Sequence, residues 1–330
     1  MARTVHGDGK ILVRHRIEAW LAKAAFRILS ALGIDRASGL AGGVMRVVGP
    51  LLPHNRVALD NLQAAFPDMG ERDRRALAKD MWENFGRTIG EYPFLDDLEP
   101  YQDGDRVVVH NAEIIDKVRE QNVGTIYFSG HIGNWEVTPN VVVRRGAVLT
   151  GIYRATNNPL INDWLIDYRK KTFTHLAPKG TASFPVLMKA VRNRGEIAIL
   201  MDQKMRESIE VPFFGRPAKT PDLCAKLAIR FGCALVPIIA RRTKGAFFEV
   251  DVYEPITFEK TGDMEADVEA LTTEQNAFLE ARIRENPAQW LWMHNRWSPS
   301  KRAVKRREAT LRLKAKLAEE EENTKKDDAA

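Results

Sequence analysis

Residues 125–139 read TIYFSGHIGNWEVTP. Thr125-Ile126-Tyr127-Phe128 is short, apolar and rich in β-branched and aromatic side chains, and Ser129-Gly130 ends it, so it predicts a buried strand. A histidine, a glycine, an asparagine, a tryptophan and a glutamate follow at once. Open α/β sheets place their chemistry just beyond the carboxyl ends of their strands, and His131 stands at such an end. Gly130 and Gly133 flank it and permit tight turns and close approach of a ligand. Five positions separate His131 from Glu136, and on an unbroken helix these would point in different directions. His131 is therefore expected on a turn and Glu136 in the helix that follows. There the carboxylate can hold one imidazole nitrogen while the other faces a substrate. Pro139 is comfortable only near a helix start, so this helix begins late or is kinked.

A histidine–carboxylate pair can take a proton from a hydroxyl and make it a nucleophile. The chain has no Gly-x-Ser-x-Gly elbow and no His-Glu-x-x-His pair, which favours direct transfer to a bound hydroxyl over a serine acyl-enzyme or a zinc mechanism. Taken alone, His-x4-Glu is a weak signal and is more often a capped structural histidine than a catalytic one. Two cysteines, Cys224 and Cys233, in 330 residues make neither a disulfide framework nor a zinc site. They fit small core residues in a reducing compartment.

Outward from this stretch, residues 105–260 alternate. Strands are expected at 106–110, 124–128, 147–153, 196–201, 234–241 and 246–254. Helices are expected at 112–121, 136–145, 158–172, 183–194 and 221–231. The pattern predicts an α/β fold with a mixed, mostly parallel sheet flanked by helices. A helix at 264–285 follows. Residues 1–100 are expected to be helical and membrane-proximal, with segments at 10–32, 36–50, 54–65 and 71–92. Residues 101–300 form the α/β domain, and 301–330 a charged tail, either an exposed helix or disordered. In the first helix Ile17, Trp20, Leu21, Ile28 and Leu32 form one face, interrupted by Arg14, Arg16, Lys23 and Arg27. A spanning helix needs about 20 apolar residues in succession, and no run here reaches that. The segment reads either as an interfacial helix on a membrane or as a helix packed on the protein's own core. The formal charge is +6, from 50 Lys+Arg against 44 Asp+Glu. It permits an anionic partner without naming one. No recognisable nucleic-acid module is present.

SGHIGNWE (129–136), IYRATNNP (152–159), DQKMRESIEVPFFGRPAKTP (202–221) and PAQWLWMHNRW (287–297) occur in this order. Together they resemble the bacterial lipid A biosynthesis acyltransferases, the late lauroyl and myristoyl transferases of the lysophospholipid acyltransferase superfamily, whose signature is His-x4-Asp or His-x4-Glu. HNRVALDNLQAAFPD (54–68) and MWENFGRTIGEY (81–92) are also similar to that family, and the likeness runs from about residue 15 to about 298.

The resemblance implies a glycerolipid acyltransferase-like fold and a reaction. A fatty acyl group passes from an acyl carrier protein thioester to a hydroxyl of a lipid A precursor, with no cofactor or metal. His131 would be the general base and Glu136 its orienting carboxylate. The thioester oxygen becomes an oxyanion and needs a donor. Arg154, just after strand 147–153, is the first candidate; Asn134 or a nearby backbone N–H is the second. Asp202 and Gln203 follow strand 196–201 and line the site in the family; Asp202 equally fits a loop-shaping pair with Lys204 or Arg206. Trp135, Phe213 and Phe214 are acyl-pocket candidates, although Phe213-Phe214-Gly215 reads as well as a core-packing turn. Thr220 precedes Pro221 and is expected to cap the next helix. Trp290 and Trp292 suit either a membrane interface or the core, and Arg296 is the site candidate of that segment. Arg144 and Arg145 are candidate phosphate holders. The expected location is the cytoplasmic face of the cell inner membrane, by peripheral or N-terminal attachment to its anionic surface. A lysophospholipid or glycolipid acceptor, or a non-catalytic basic membrane-binding protein, are the competing readings.

Overall fold

The computed structural model describes residues 11–102, 104–153, 156–170, 172–178, 183–205 and 208–297. Four helices lead: α1 (Val13–Leu32), α2 (Ile34–Val48), α3 (His54–Ala65) and α4 (Glu71–Glu91). The α/β part then runs β1 (Val107–His110), α5 (Glu113–Glu120), β2 (Thr125–Ser129), α6 (Thr138–Val143), β3 (Leu149–Tyr153), α7 (Pro159–Arg169), β4 (His175–Pro178), α8 (Ser183–Arg192) and β5 (Glu196–Leu200). It continues with β6 (Ile209–Phe213), β7 (Arg216–Thr220), α9 (Leu223–Phe231), β8 (Ala234–Lys244), β9 (Phe247–Val252) and α10 (Met264–Glu285). The described residues up to Asn295 lie in one unit. Arg296 begins a second, in which Arg296 and Trp297 are described. The charged tail lies outside the described residues.

The main sheet has the order β1-β9-β8-β2-β5-β3-β4. Strands β8, β2, β5, β3 and β4 are parallel; β9 turns back on β8, and β1 follows β9. This is the expected mixed, mostly parallel sheet. All five residues of β2 are buried, as befits a central strand covered on both faces. On one face Tyr127, Val236 and Val250 pack against Ile115 of α5 and Val141 of α6. Phe128 points to the other face and meets Phe278 of α10 edge-on, with α9 packed between α8 and α10. The short strand β4 and the hairpin β6–β7 were not foreseen. The hairpin turns at Phe214 and Gly215, both with positive φ.

Local signals account for several boundaries. Asn158 caps α7 by accepting from the Leu160 amide at 3.0 Å, with Pro159 in the first turn. Asp263 caps α10 in the same way, accepting from Glu265 at 2.9 Å. Pro139 does sit in the first turn of a late-starting helix. The Thr220 cap is a correction: α9 starts only at Leu223. Thr220 ends β7, donates to the Ala218 carbonyl and accepts from Asn276 at 2.9 Å.

The N-terminal helices leave apolar side chains uncovered. Ile17, Trp20, Leu21 and Ile28 of α1 are more than half exposed, as are Leu40 and Val47 of α2 and Leu51 beyond it. Among the described residues no helix is long and apolar enough to cross a membrane.

Candidate active site

The connection after β2 runs to β3 and that after β5 runs towards β8, so the chain leaves these neighbouring strands in opposite directions. Their carboxyl ends form a topological switch point. Ser129 pairs with Leu200 in register. Two residues further along each strand stand His131 and Asp202, and they meet. The His131 Nδ1 lies 2.7 Å from Asp202 Oδ1. Asp202 Oδ2 accepts from the His131 backbone N–H at 2.8 Å and from the Trp290 indole N–H at 2.7 Å. Asp202 is 1% exposed.

Burial by itself would raise the Asp202 pKa. The imidazole beside it and three hydrogen bonds outweigh that and hold the carboxyl well below the usual carboxylate range. An ionised carboxylate only accepts, so the proton of a neutral His131 is on Nδ1, and Nε2 is left as a base. Nε2 lies 3.4 Å from the Gln203 amide nitrogen. Because the folded-state pKa of Asp202 is depressed, its stabilising contribution is complete above about pH 4, the unfolded value, and fades as pH falls through the folded one. Asp202→Asn is thus expected to flatten the acid limb of a melting-temperature profile below about pH 4.

This corrects the expected dyad. The carboxylate on the imidazole is Asp202, where the sequence reading gave that role to Glu136. The 3-10 turn Trp135–Val137 carries Glu136 to α7 instead, where its Oε1 accepts from Arg169 Nη2 at 2.8 Å. Arg169 also donates to the Tyr92 hydroxyl at 3.2 Å. Burial lowers its pKa, but Glu136 and Tyr92 more than offset this and keep the guanidinium charged. The described partners of Asp202 are His131 and Trp290.

His131, Trp135, Glu136, Arg169 and Gln203 line one cavity of about 540 Å³ whose remaining wall is mostly apolar. Trp135 presents its ring edge-on to His131, with centroids 4.9 Å apart. Phe213 and Phe214 do not line it, which corrects that expectation. They are buried in an aromatic cluster with Phe66, Trp290 and Trp292. The apolar wall comes from Phe173, Leu176, Phe184 and Ile199. Asn134 is also corrected. It is fully buried away from the cavity, donates to Glu91 at 2.8 Å and accepts from the Glu136 amide at 3.2 Å. Arg154 and Arg206 lie outside the described residues. Arg296 opens the second unit. Arg144 and Arg145 pair with Glu99 and Asp116.

The turn that carries His131 is clamped from below. Segment 289–291 bridges it: the Gly133 amide donates to Gln289 at 3.0 Å, and the Leu291 amide to His131 at 3.1 Å. Trp290 and Trp292 are buried, so this aromatic segment belongs to the core and holds the site from inside. Asn84 of α4 donates to the Gly133 carbonyl at 3.1 Å. Beneath, Glu91 is fully buried and accepts from Ser38 at 2.6 Å, from Asn134 and from Arg242, which pairs with both its oxygens. Glu91→Ala would strand the Arg242 guanidinium, whose side chain is 8% exposed. The expected cost is about 3–5 kcal/mol, read as a lower urea midpoint. Gly133 has φ +59°, and a Cβ there would stand 2.2 Å from the Ala240 carbonyl oxygen. Gly133→Ala is expected to lose about 1–3 kcal/mol from backbone strain alone, before the clash, on the same urea titration.

A carboxylate-held imidazole at the edge of a largely apolar cavity suits an enzyme that works on lipid chains. Residues 6–299 match the family model of the bacterial lipid A biosynthesis acyltransferases, and the chain belongs to that family; it is a lipid acyltransferase. It is 26% identical over 242 residues to the lipid A biosynthesis lauroyltransferase of Escherichia coli (strain K12), covering 72% of this chain and 76% of the relative. It is 25% identical over 248 residues to the phosphatidylinositol mannoside acyltransferase of Mycobacterium tuberculosis (strain H37Rv), covering 73% and 75%. It is 22% identical over 252 residues to a lipid A biosynthesis acyltransferase of Haemophilus influenzae, covering 73% and 76%.

Arg169 and the Trp290 bond to Asp202 escaped the sequence reading. An arginine ending a helix ordinarily complements the helix dipole, so nothing marked Arg169. The His131–Asp202 pair was within reach had β2 and β5 been paired in register.

Proposed function

We propose that this chain transfers a fatty acyl group from an acyl carrier protein thioester to a hydroxyl of a lipid A precursor. The observation that carries this reading is the His131–Asp202 pair opening onto the apolar cavity. His131 Nε2 takes the proton of the acceptor hydroxyl. The oxygen attacks the thioester carbonyl, the new C–O bond forms and the C–S bond breaks. The leaving thiolate recovers the proton from the imidazolium, which Asp202 has stabilised. Arg169 and Gln203 face the same cavity and are the donors for the carbonyl oxygen as it gains charge. Glu136 acts through Arg169 by fixing its guanidinium.

A glycolipid acceptor is the second reading, favoured by the similarity to a phosphatidylinositol mannoside acyltransferase. The exposed apolar side chains of α1 and α2, beside Arg14, Arg16, Lys23 and Arg27, suit an interface with anionic lipid. On this reading the protein works at the cytoplasmic face of the inner membrane, where both substrates are within reach. Parallel assays with a tetra-acylated lipid A precursor and a phosphatidylinositol mannoside, followed by mass spectrometry, decide between the acceptors. Addition of one acyl group to the first alone is expected; addition only to the second would replace this reading.

A further inference from the structure

The sheet opens at the site. β5 stays paired with β2 as far as Ser129–Leu200, and β3 with β4 as far as Tyr153–Pro178. The ladder between β5 and β3 stops earlier, at Gly151–Ala198. Beyond that rung Ile199 and Leu200 are no longer paired with Ile152 and Tyr153. The cavity is lined by Ile152, Ile199 and Leu200, so it occupies this parting of the strands.

Side chains alternate between the faces of a sheet, and register carries the alternation from strand to strand. Tyr127 and Ala198 are partners, Ala198 is opposite Gly151, and Gly151 is opposite Leu176. These side chains share one face, that of α6 and Phe173, and Tyr127, Ala198 and Leu176 all line the cavity. Ile199 is one residue past Ala198 and Ile152 one past Gly151, so both point to the opposite face. There Phe184 of α8 and Cys224 of α9 line the same cavity. A pocket confined to one side of a continuous sheet would draw its wall from one parity only. This one draws on both.

We propose that the cavity is forked, with an apolar arm on each face of the sheet, and that it holds two hydrocarbon chains at once. One arm takes the chain being transferred and the other a chain carried by the acceptor, with His131 at their common mouth. The identity of the chains rests on the acyl-transfer reading; the two arms do not. The arrangement makes the acceptor itself an acylated lipid, bound by its own chain as well as by its hydroxyl-bearing headgroup. Burial of each further CH₂ contributes about 0.8 kcal/mol, so each arm would select chain length separately.

Dodecanoate carrying ¹³C at its terminal methyl tests this by NMR on the full chain, without turnover. At saturation two bound methyl resonances are expected, one shifted near Phe173 and one near Phe184. Ala198→Leu should abolish one, and Cys224→Leu the other, in proteins whose melting matches the wild type. Where either substitution unfolds the chain, Leu176→Phe and Leu223→Phe fill the same two arms. A single resonance lost in both variants would mean one chain threading the gap and would overturn the fork. Two resonances that no variant moves would place the chains on the exposed face of α1 and α2 and overturn it equally. Two variant-specific resonances in a protein that transfers no acyl group would leave the fork standing and refute the reaction.

Discussion

His131→Ala is expected to lower acyl transfer by about 10²–10⁴-fold in a protein that still folds, with a lower melting temperature because the buried Asp202 carboxylate loses its imidazole partner. The imidazole is the group in the cavity whose Nε2 is left as an acceptor by the bond at its other nitrogen. Its removal leaves the hydroxyl without a base. The fold should tolerate this, because the backbone contacts of the turn, through Gln289 and Leu291, do not involve the ring. The rate of acylated product formation at saturating donor, with a melt on the same sample, checks both parts.

Asp202→Asn is expected to be nearly as severe, roughly 10⁴-fold when the loss is of the correct imidazole tautomer. The Trp290 indole and the His131 amide both donate to Oδ2 and would keep the amide oxygen for themselves. That turns the amide nitrogen, a donor, towards Nδ1. The ring then carries its proton on Nε2 and has no lone pair for the hydroxyl. In the double variant the two losses should not add, since the residues act as one unit. Glu136→Gln separates the two accounts of the dyad. Were Glu136 the orienting carboxylate, its substitution would match that of Asp202. In the observed geometry it leaves the imidazole untouched and acts only through Arg169, with a smaller fall in rate.

The helices and strands that show a clear period were legible in the sequence, to within two or three residues for most. The expected 264–285 helix is observed at those residues. Strands β4, β6 and β7 were not: β4 carries four residues and ends on Pro178, and β6 and β7 contain Pro212 and Pro217. The site was legible in its members and illegible in its pairing. His131 is named by the strand 125–129 and Asp202 by the strand 196–200, each of which ends two residues before it. Which of two carboxylates reaches the ring depends on the order of strands in the sheet, a long-range fact that no local pattern encodes. Chain proximity favoured Glu136, but the 3-10 turn after Asn134 commits it to Arg169. Phe213 and Phe214 failed as pocket residues for a related reason: an aromatic pair at a hairpin turn packs wherever the hairpin lies, here against α10 and the Trp290 segment.

The most direct test of the central claim is acyl transfer from an acyl carrier protein thioester to a tetra-acylated lipid A precursor, by wild type, His131→Ala, Asp202→Asn and Glu136→Gln side by side. The account predicts one added acyl group with wild type, near-complete loss with the His131 and Asp202 variants, and a partial loss with Glu136→Gln. Full activity in a folded Asp202→Asn protein, with activity abolished in Glu136→Gln, would contradict it.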